Sequence, residues 1–414
     1  MRTRVAVTGI GMKTPGGHHI EEVLDALYTA KSTAATVPEL VECCSPVTFA
    51  CTVPPFDLAP YCAPREQRRM ERPALLALSA AMDAVEQSGL DVSADPDAVG
   101  VAVGTGFGGL SALERLLTDL GDRPDTISPM AVPRVMPSSP ADHISLRLAA
   151  RGSSLTYSAA CASGAVAIGE SMRKIRSGEL TAVVAGGVDA GVTPVAMSGF
   201  ARMRVLSRRN DDPGSACRPF DESRDGFVMG EGAAFLVLEN WEHAVARGAT
   251  VLGEVTGYAG NSDAHHIVAP REDGGIAAAC MALALDDAGI GPEGIGHVSA
   301  NGTSTWINDA AEARALAECF GTLRPPVTAV KGVLGHLVGA AGAVQAAVAL
   351  AVAARGEVPP VANHHRCEEP GLLDVVADEP RRIARAAALS NSFGFGGHNA
   401  CLVLSPADNG RTYN

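Results

Sequence analysis

None of the ten cysteines, at positions 43, 44, 51, 62, 161, 217, 280, 319, 367 and 401, forms a C-x-x-C pair. That argues against a zinc ribbon and a thioredoxin-like redox centre, and ten thiols in 414 residues are no disulfide framework. Reduced, mostly buried cysteines in a cytoplasmic protein are the expectation. Positive charge is also scarce. With 33 Lys and Arg against 46 Asp and Glu, the net charge of −13 disfavours nucleic acid and anionic membranes as partners. A bilayer-length apolar run is missing as well. The opening MRTRVAVTGIG has no long apolar core and no cleavage site, and reads as a first strand. The most apolar stretch, AAGAVQAAVALAVAARG from Ala340, is interrupted by Gln345, is too short to span, and reads as a buried helix. Three vicinal histidine pairs (18–19, 265–266, 364–365) lack carboxylates at ligand spacing, so no metal is assigned.

What is present is a core-forming composition, 47% hydrophobic and 19% charged. Short β-branched runs alternate with Ala-rich helical stretches: VAVTGIG, LLALSAAMDAVEQSGL, VGVAVGTGFGG, then a helix from Leu110. Such alternation predicts an α/β fold with largely buried sheets. Three segments recur in the same order. AMDAVEQSGLDVSADPDAVGVAVGTG resembles ALALDDAGIGPEGIGHVSANGTS, VAVTGIG resembles GEVTGYAG, and SGAVAIGESM resembles AGAVQAAVAL. A duplicated half is the expectation, with the join near residue 250, giving halves 1–250 and 251–414.

SSLTYSAACASGAVAIGESM reads as a strand, a sharp turn of small residues, and a helix starting at or just after Cys161. A thiol at a helix N-terminus has its thiolate stabilised by free N–H groups, which predicts a lowered pKa. The same residues also fit an inert buried cysteine. ALSNSFGFGGHNACLVL holds a turn, Gly394 to Gly397, that could present N–H groups to an oxyanion. Lys331 and His336 lie on a turn entering a helix. A lone histidine is more often structural than catalytic.

Together the segments SAACASG, CRPFDESRDGFVMGEGAAFLVLE, NGTST…ND…E, K…GHLVGAAG and NSFGFGGHNA resemble the β-ketoacyl-acyl-carrier-protein synthases, most closely the synthase II type of fatty-acid and type II polyketide pathways. The resemblance covers essentially the whole chain. It implies a thiolase fold of two duplicated halves in five αβαβα layers, and an acyltransferase. An acyl group would pass from carrier protein to the cysteine and be attacked by the enolate of decarboxylated malonyl-carrier protein. By position, Cys161 matches the nucleophile, and the N–H groups of Cys161 and Phe395 the oxyanion hole. His336 matches the second active-site histidine, and Lys331 and Glu312 the charged pair behind it. Thr303 and Thr305 match the hydroxyls of the pantetheine channel. Phe395 also matches a gate, which Phe393 neighbours on the substrate side, with Asp263 and His266 on a mobile loop beside it. Phe107 matches a position on the acyl tunnel, where its ring would shorten or bend the pocket.

The resemblance implies a histidine at 301, and Asn301 stands there. An amide can donate a hydrogen bond but cannot take a proton or become cationic. Losing one aimed donor costs about 10²–10³ in rate. His297 is no substitute, because four residues along a strand place it roughly 13 Å away. Trp306 replaces proline, Gln345 glutamate and Gly332 serine. Related condensing enzymes do work with one His and one Asn, although in the opposite order along the chain.

PREQRRMERP carries Arg65, Arg68, Arg69 and Arg72 at helical spacing, and Arg204, Arg208 and Arg209 form a second cluster. The resemblance implies that an acidic carrier protein docks at such places. It implies no cofactor beyond the carrier's 4′-phosphopantetheine, and a homodimer or a heterodimer with a second ketosynthase-like chain. Three readings stay open: a decarboxylative ketosynthase, a non-elongating acyltransferase, and a structural chain-length subunit. The last is weakest, since those partners lack the cysteine kept here.

Overall fold

The computed structural model describes residues 2–120, 125, 127–368 and 371–407. Its first half contributes strands β1 (Val5–Lys13), β2 (Val99–Gly104), β3 (Ser154–Tyr157), β4 (Ala182–Ala190) and β5 (Glu231–Asn240). The second half contributes β6 (Gly253–Ser262), β7 (Ile295–Ser299), β8 (Pro326–Thr328), β9 (Ala387–Gly394) and β10 (His398–Pro406). Across the sheet the order is β8-β7-β9-β10-β6-β1-β5-β4-β2-β3, with a two-residue strand, Asp374–Val375, added beyond β8.

Counted outward from the middle, each half runs first, fifth, fourth, second, third strand. The senses match too. In the first half β2 is parallel to β3 and β4, and β5 is antiparallel to β4 and β1; in the second, β7 is parallel to β8 and β9, and β10 is antiparallel to β9 and β6. Only Ala6↔Glu254 and Val7↔Gly253 pair across the pseudo-dyad.

Six helices complete the layers: α1 (Arg72–Ser88), α2 (Ser139–Leu148), α3 (Ser163–Arg176), α4 (Gly275–Ala288), α5 (Trp306–Phe320) and α6 (Ala341–Arg355). Helices α1 and α2 cover the outer face of the first half's strands (the first sheet layer), α4 and α5 lie outside those of the second half (the second layer), and α3 and α6 fill the space between. Both layers of this one continuous sheet are therefore covered twice. That is why every residue of β1 and β4 is buried and why these strands read as apolar runs, broken only by Thr8, Lys13 and Asp189, rather than as alternating ones. The three sequence echoes fall on equivalent places: α1–β2 with α4–β7, β1 with β6, and α3 with α6.

The central layer is tight because its helix starts are built from small residues. A Cβ on Gly164 would lie 2.8 Å from the Gly339 carbonyl oxygen, and one on Gly342 2.7 Å from the Ala165 nitrogen. Helix α6 is the apolar stretch read from the sequence. Most of it, including Gln345, is buried against α3 and the second layer.

Candidate active site

Strand β3 ends at Tyr157, and the chain turns sharply through Ala160, at φ 49°, before α3 begins at Ser163. The Ser163 hydroxyl ties the turn, accepting from Ala159 N at 2.9 Å and donating to the Ala160 carbonyl at 2.6 Å. Cys161 is thus held just ahead of the helix. Its own N–H and that of Phe395, on the turn between β9 and β10, both lie beside the sulfur and favour its thiolate. Two converging backbone donors suit an oxyanion formed at a thioester carbonyl.

Gly394 makes this convergence possible. A Cβ there would sit 2.9 Å from the Ala159 oxygen and 3.0 Å from the Cys161 nitrogen. Gly394→Ala should therefore push the two donors apart and slow acylation of Cys161 by about 10²-fold. Acyl-adduct formation timed by intact-protein mass spectrometry checks this, and an unchanged rate would refute the assigned oxyanion hole.

His336 Nε2 lies 3.1 Å from Cys161 Sγ. Its Nδ1 accepts the N–H of Val338 at 3.2 Å, which places the ring proton on Nε2. Val338, a β-branched residue at φ 47°, adopts an unusual conformation to aim that N–H. Burial, and then the Lys331 charge, push the imidazole well below its ordinary pKa, so it is neutral. His336 is accordingly a hydrogen-bond donor at the sulfur, not a base for it.

The thiol differs from the sequence expectation. Burial pushes Cys161 up to about 11, while Lys331 and the N–H groups of Phe395 and Cys161 oppose the shift; the buried Asp189 carboxylate adds to it. The helix start is there, but desolvation outweighs it. Alkylation of Cys161 by iodoacetamide should then rise about tenfold per pH unit from pH 7 to 10. Peptide mass spectrometry can read this against the exposed Cys43 and Cys44, and a plateau below pH 8.5 would contradict a buried, protonated thiol.

Behind the cysteine, Lys331 is buried and donates to the Asn301 carbonyl, to Asn301 Oδ1 at 3.1 Å and to Gln345 Oε1 at 2.7 Å. Glu312 accepts the N–H groups of Asn301 and Gly302, both at 2.8 Å, and Asn391 Nδ2 at 3.3 Å. Burial pushes the Glu312 carboxyl up and the Lys331 amine down. The hydrogen bonds argue the other way. A neutral amine has only two N–H groups for three acceptors, and three donors converge on the carboxylate, so both groups are held charged. The two do not pair directly; they act across Asn301.

A cavity of about 430 Å³ opens over Cys161 and His336. Thr303, Thr305, Asp263, Phe393 and Phe395 line it, and the two threonine hydroxyls lie 2.9 Å apart. Asn301 does not line it; only 1% exposed, it is sealed in the wall. Phe107 is set back too. It packs edge-on at 5.9 Å against Phe200, which itself faces the cavity and meets Phe395 at 6.1 Å. Exposed His266 lies off the wall, its Nδ1 accepting from the N–H groups of Val268 and Ala269. His297 is fully buried with neither ring nitrogen hydrogen-bonded, and burial lowers it to about 3.

The basic stripe read from Arg65 to Arg72 is not one helix face. The helix there spans only Pro64–Gln67, and Arg72 begins α1 with its guanidinium on Glu231. Arg65, Arg68 and Arg69 remain exposed. Arg204 lines the cavity, Arg208 is exposed and donates to the Ala201 carbonyl, and Arg209 pairs with Asp225 at 3.5 Å.

Sequence reasoning gave no role to Phe200, Phe227 or Asn308. Phe227 packs edge-on against His336 at 5.1 Å. The Asn308–Asp309 step stood within the recognised motif, in the first turn of α5, where an acidic residue after a run of hydroxyls signals capping. Asp309 instead ties down the loop ahead of α5, accepting the N–H groups of Thr303 and Ser304 together with that of Phe220.

A cysteine under two backbone donors, beside a neutral imidazole donor and at the start of a central-layer helix, defines a thioester-forming acyltransferase of the thiolase fold. Residues 2–244 match the beta-ketoacyl synthase N-terminal domain and residues 252–365 its C-terminal domain. The 3-oxoacyl-(acyl-carrier-protein) synthase 2 of Synechocystis sp. is 38% identical over 97% of this chain and 98% of that protein. Among solved structures, the ishigamide ketosynthase/chain length factor superposes with a TM-score of 0.90 at 33% identity, over 98% of this chain and all of that one. A type II polyketide ketosynthase, solved with its acyl-carrier protein and bound to the hexaketide, gives 0.90 at 28% identity, over 99% and 100%. The chain belongs to the β-ketoacyl synthase family and is a condensing-enzyme-like acyltransferase.

Proposed function

We propose that the protein takes an acyl group from an acyl carrier protein onto Cys161 and condenses it with malonyl-carrier protein in a specialised polyketide- or fatty-acid-like pathway of the cytoplasm. The observation that carries this reading is His336 Nε2 at 3.1 Å from Cys161 Sγ, with the Gly394–Phe395 turn packed against the Cys161 backbone on the other side. In the first half-reaction the sulfur attacks the carrier thioester. The negative oxygen sits under the Cys161 and Phe395 N–H groups, and the thiol proton passes to the departing pantetheine sulfur. In the second, malonyl loses CO₂, its enolate carbon attacks the acyl-enzyme, and the Cys161 thiolate leaves.

Thr303 and Thr305 would guide the pantetheine arm, Phe395 with Asp263 would gate the second substrate, and no cofactor of the protein's own is required. Exposed Arg65, Arg68, Arg69 and Arg208 would meet an acidic carrier. Strand β3 ends the sheet with Leu155 exposed, which fits a pairing edge for a second ketosynthase-like chain.

One observation favours a second reading, acyl transfer without elongation: Asn301 is withdrawn from the cavity. Intact-protein mass spectrometry with acyl-carrier protein, before and after malonyl-carrier protein, separates the two. Under the proposal an adduct on Cys161 forms and then disappears as β-ketoacyl product appears. An adduct that persists beside intact malonyl groups refutes elongation and supports transfer.

A further inference from the structure

The second half-reaction puts negative charge on the malonyl thioester oxygen, and the cavity must supply donors for it. His336 Nε2–H is one. The orientation of the amides behind the wall shows where a second lies. Lys331, an ammonium, can only donate, so Asn301 must turn Oδ1 toward it. That directs Asn301 Nδ2 at Asn308 Oδ1, 3.0 Å away. Asn308 must then turn its own Nδ2 outward, where one hydrogen reaches Asp309 Oδ1 at 3.1 Å. Asp309 is an acceptor already meeting three backbone N–H groups. A cation at one end and a carboxylate at the other therefore fix the sense of both amides. The second Nδ2 hydrogen of Asn308 has no partner among the described residues, and Asn308, unlike Asn301, lies on the cavity wall with Cys161 and His336.

We propose that Asn308 joins His336 in holding the malonyl thioester oxygen as the enolate forms, with Asn301 and Lys331 as positioning residues that set its amide. This rests on the condensation reading above. In the step, the bond between the malonyl carboxylate and its α-carbon breaks and CO₂ departs. The electron pair becomes the enolate double bond, and the charge on oxygen is met by His336 Nε2–H and Asn308 Nδ2–H. Carbon–carbon bond formation then returns the electrons through the acyl carbonyl to the Cys161 sulfur.

The test separates the half-reactions in Asn308→Ala and in the near-isosteric Asn308→Asp, which accepts but cannot donate from an ionised side chain. The acyl adduct on Cys161 is timed by intact-protein mass spectrometry. CO₂ release from carboxyl-labelled malonyl-carrier protein gives kcat and KM. The expected result is a fall of about 10²–10³ in kcat for CO₂ release, at least as large for Asp as for Ala. KM and the loading rate should change no more than a few-fold, since the donor acts on the transition state. Asn301→Ala, which frees Asn308 to rotate, should lower the same kcat, and by less. Three results overturn the proposal. In the first, both Asn308 variants release CO₂ at the native rate while Asn301→Ala does not. In the second, loading and CO₂ release fall together in both Asn308 variants, which marks a structural role. In the third, the native chain releases no CO₂, which removes the condensation reading as well; the first two leave that reading standing.

Discussion

Cys161→Ala should form no acyl adduct and lose carrier-dependent turnover by on the order of 10⁴ or more, whether the product is elongated or simply transferred. The substitution isolates the thiol well. Alanine keeps the N–H of residue 161, so the oxyanion hole survives, and it keeps the small side chain that the turn after Ala160 tolerates. No other sulfur can take over. Cys51 and Cys217 are fully buried, with thiols pushed up to about 12 by burial, and neither lines the cavity. Intact-protein mass spectrometry and product assay measure the result. Turnover within tenfold of native in this variant would dispose of both readings that rest on the cysteine.

The fold was legible because its signals are local and repeated. Runs such as VAVTGIG and the Ala-rich helices mark elements by periodicity, and the duplicated order ties the two halves together. Cys161, His336, Phe395, Thr303 and Thr305 were legible through motif position. What escaped was the outcome of competition between terms. The helix start at Cys161 promised an acidic thiol, but the sequence does not show how completely the site is buried, and burial wins. Asn301 read as the altered catalytic residue because the resemblance implies a histidine at its position. Its place in the wall depends on Lys331, thirty residues on, and on Asn308, seven residues on. Arg65 to Arg72 looked like one basic face because the spacing is helical, yet the helix ends at Gln67 and a new one starts at Arg72. Phe107 was placed on the tunnel by motif position alone, while the ring that reaches the cavity, Phe200, comes from the helix Pro194–Arg202.

Lys331→Met should be the most damaging change outside the cysteine. Methionine fills much of the space but leaves the Asn301 carbonyl, Asn301 Oδ1 and Gln345 Oε1 without their donor in a region closed to water. Orphaned buried acceptors and an uncompensated Glu312 together suggest a loss of about 3–5 kcal/mol, seen as a lower thermal midpoint. Activity should fall further than stability requires. Without the ammonium, Asn301 is free to flip its amide, and the Cys161 thiol loses the charge that most opposes its upward shift. Iodoacetamide labelling of Cys161 at a fixed pH should therefore slow. Because Lys331 and Glu312 act on each other across Asn301, their losses should not add. Lys331→Met combined with Glu312→Gln should be less destabilised than the sum of the single variants, by 1 kcal/mol or more on the order typical of coupled neighbours. Strict additivity, with unchanged Cys161 labelling, would show that the two charges serve only to close their own hydrogen bonds.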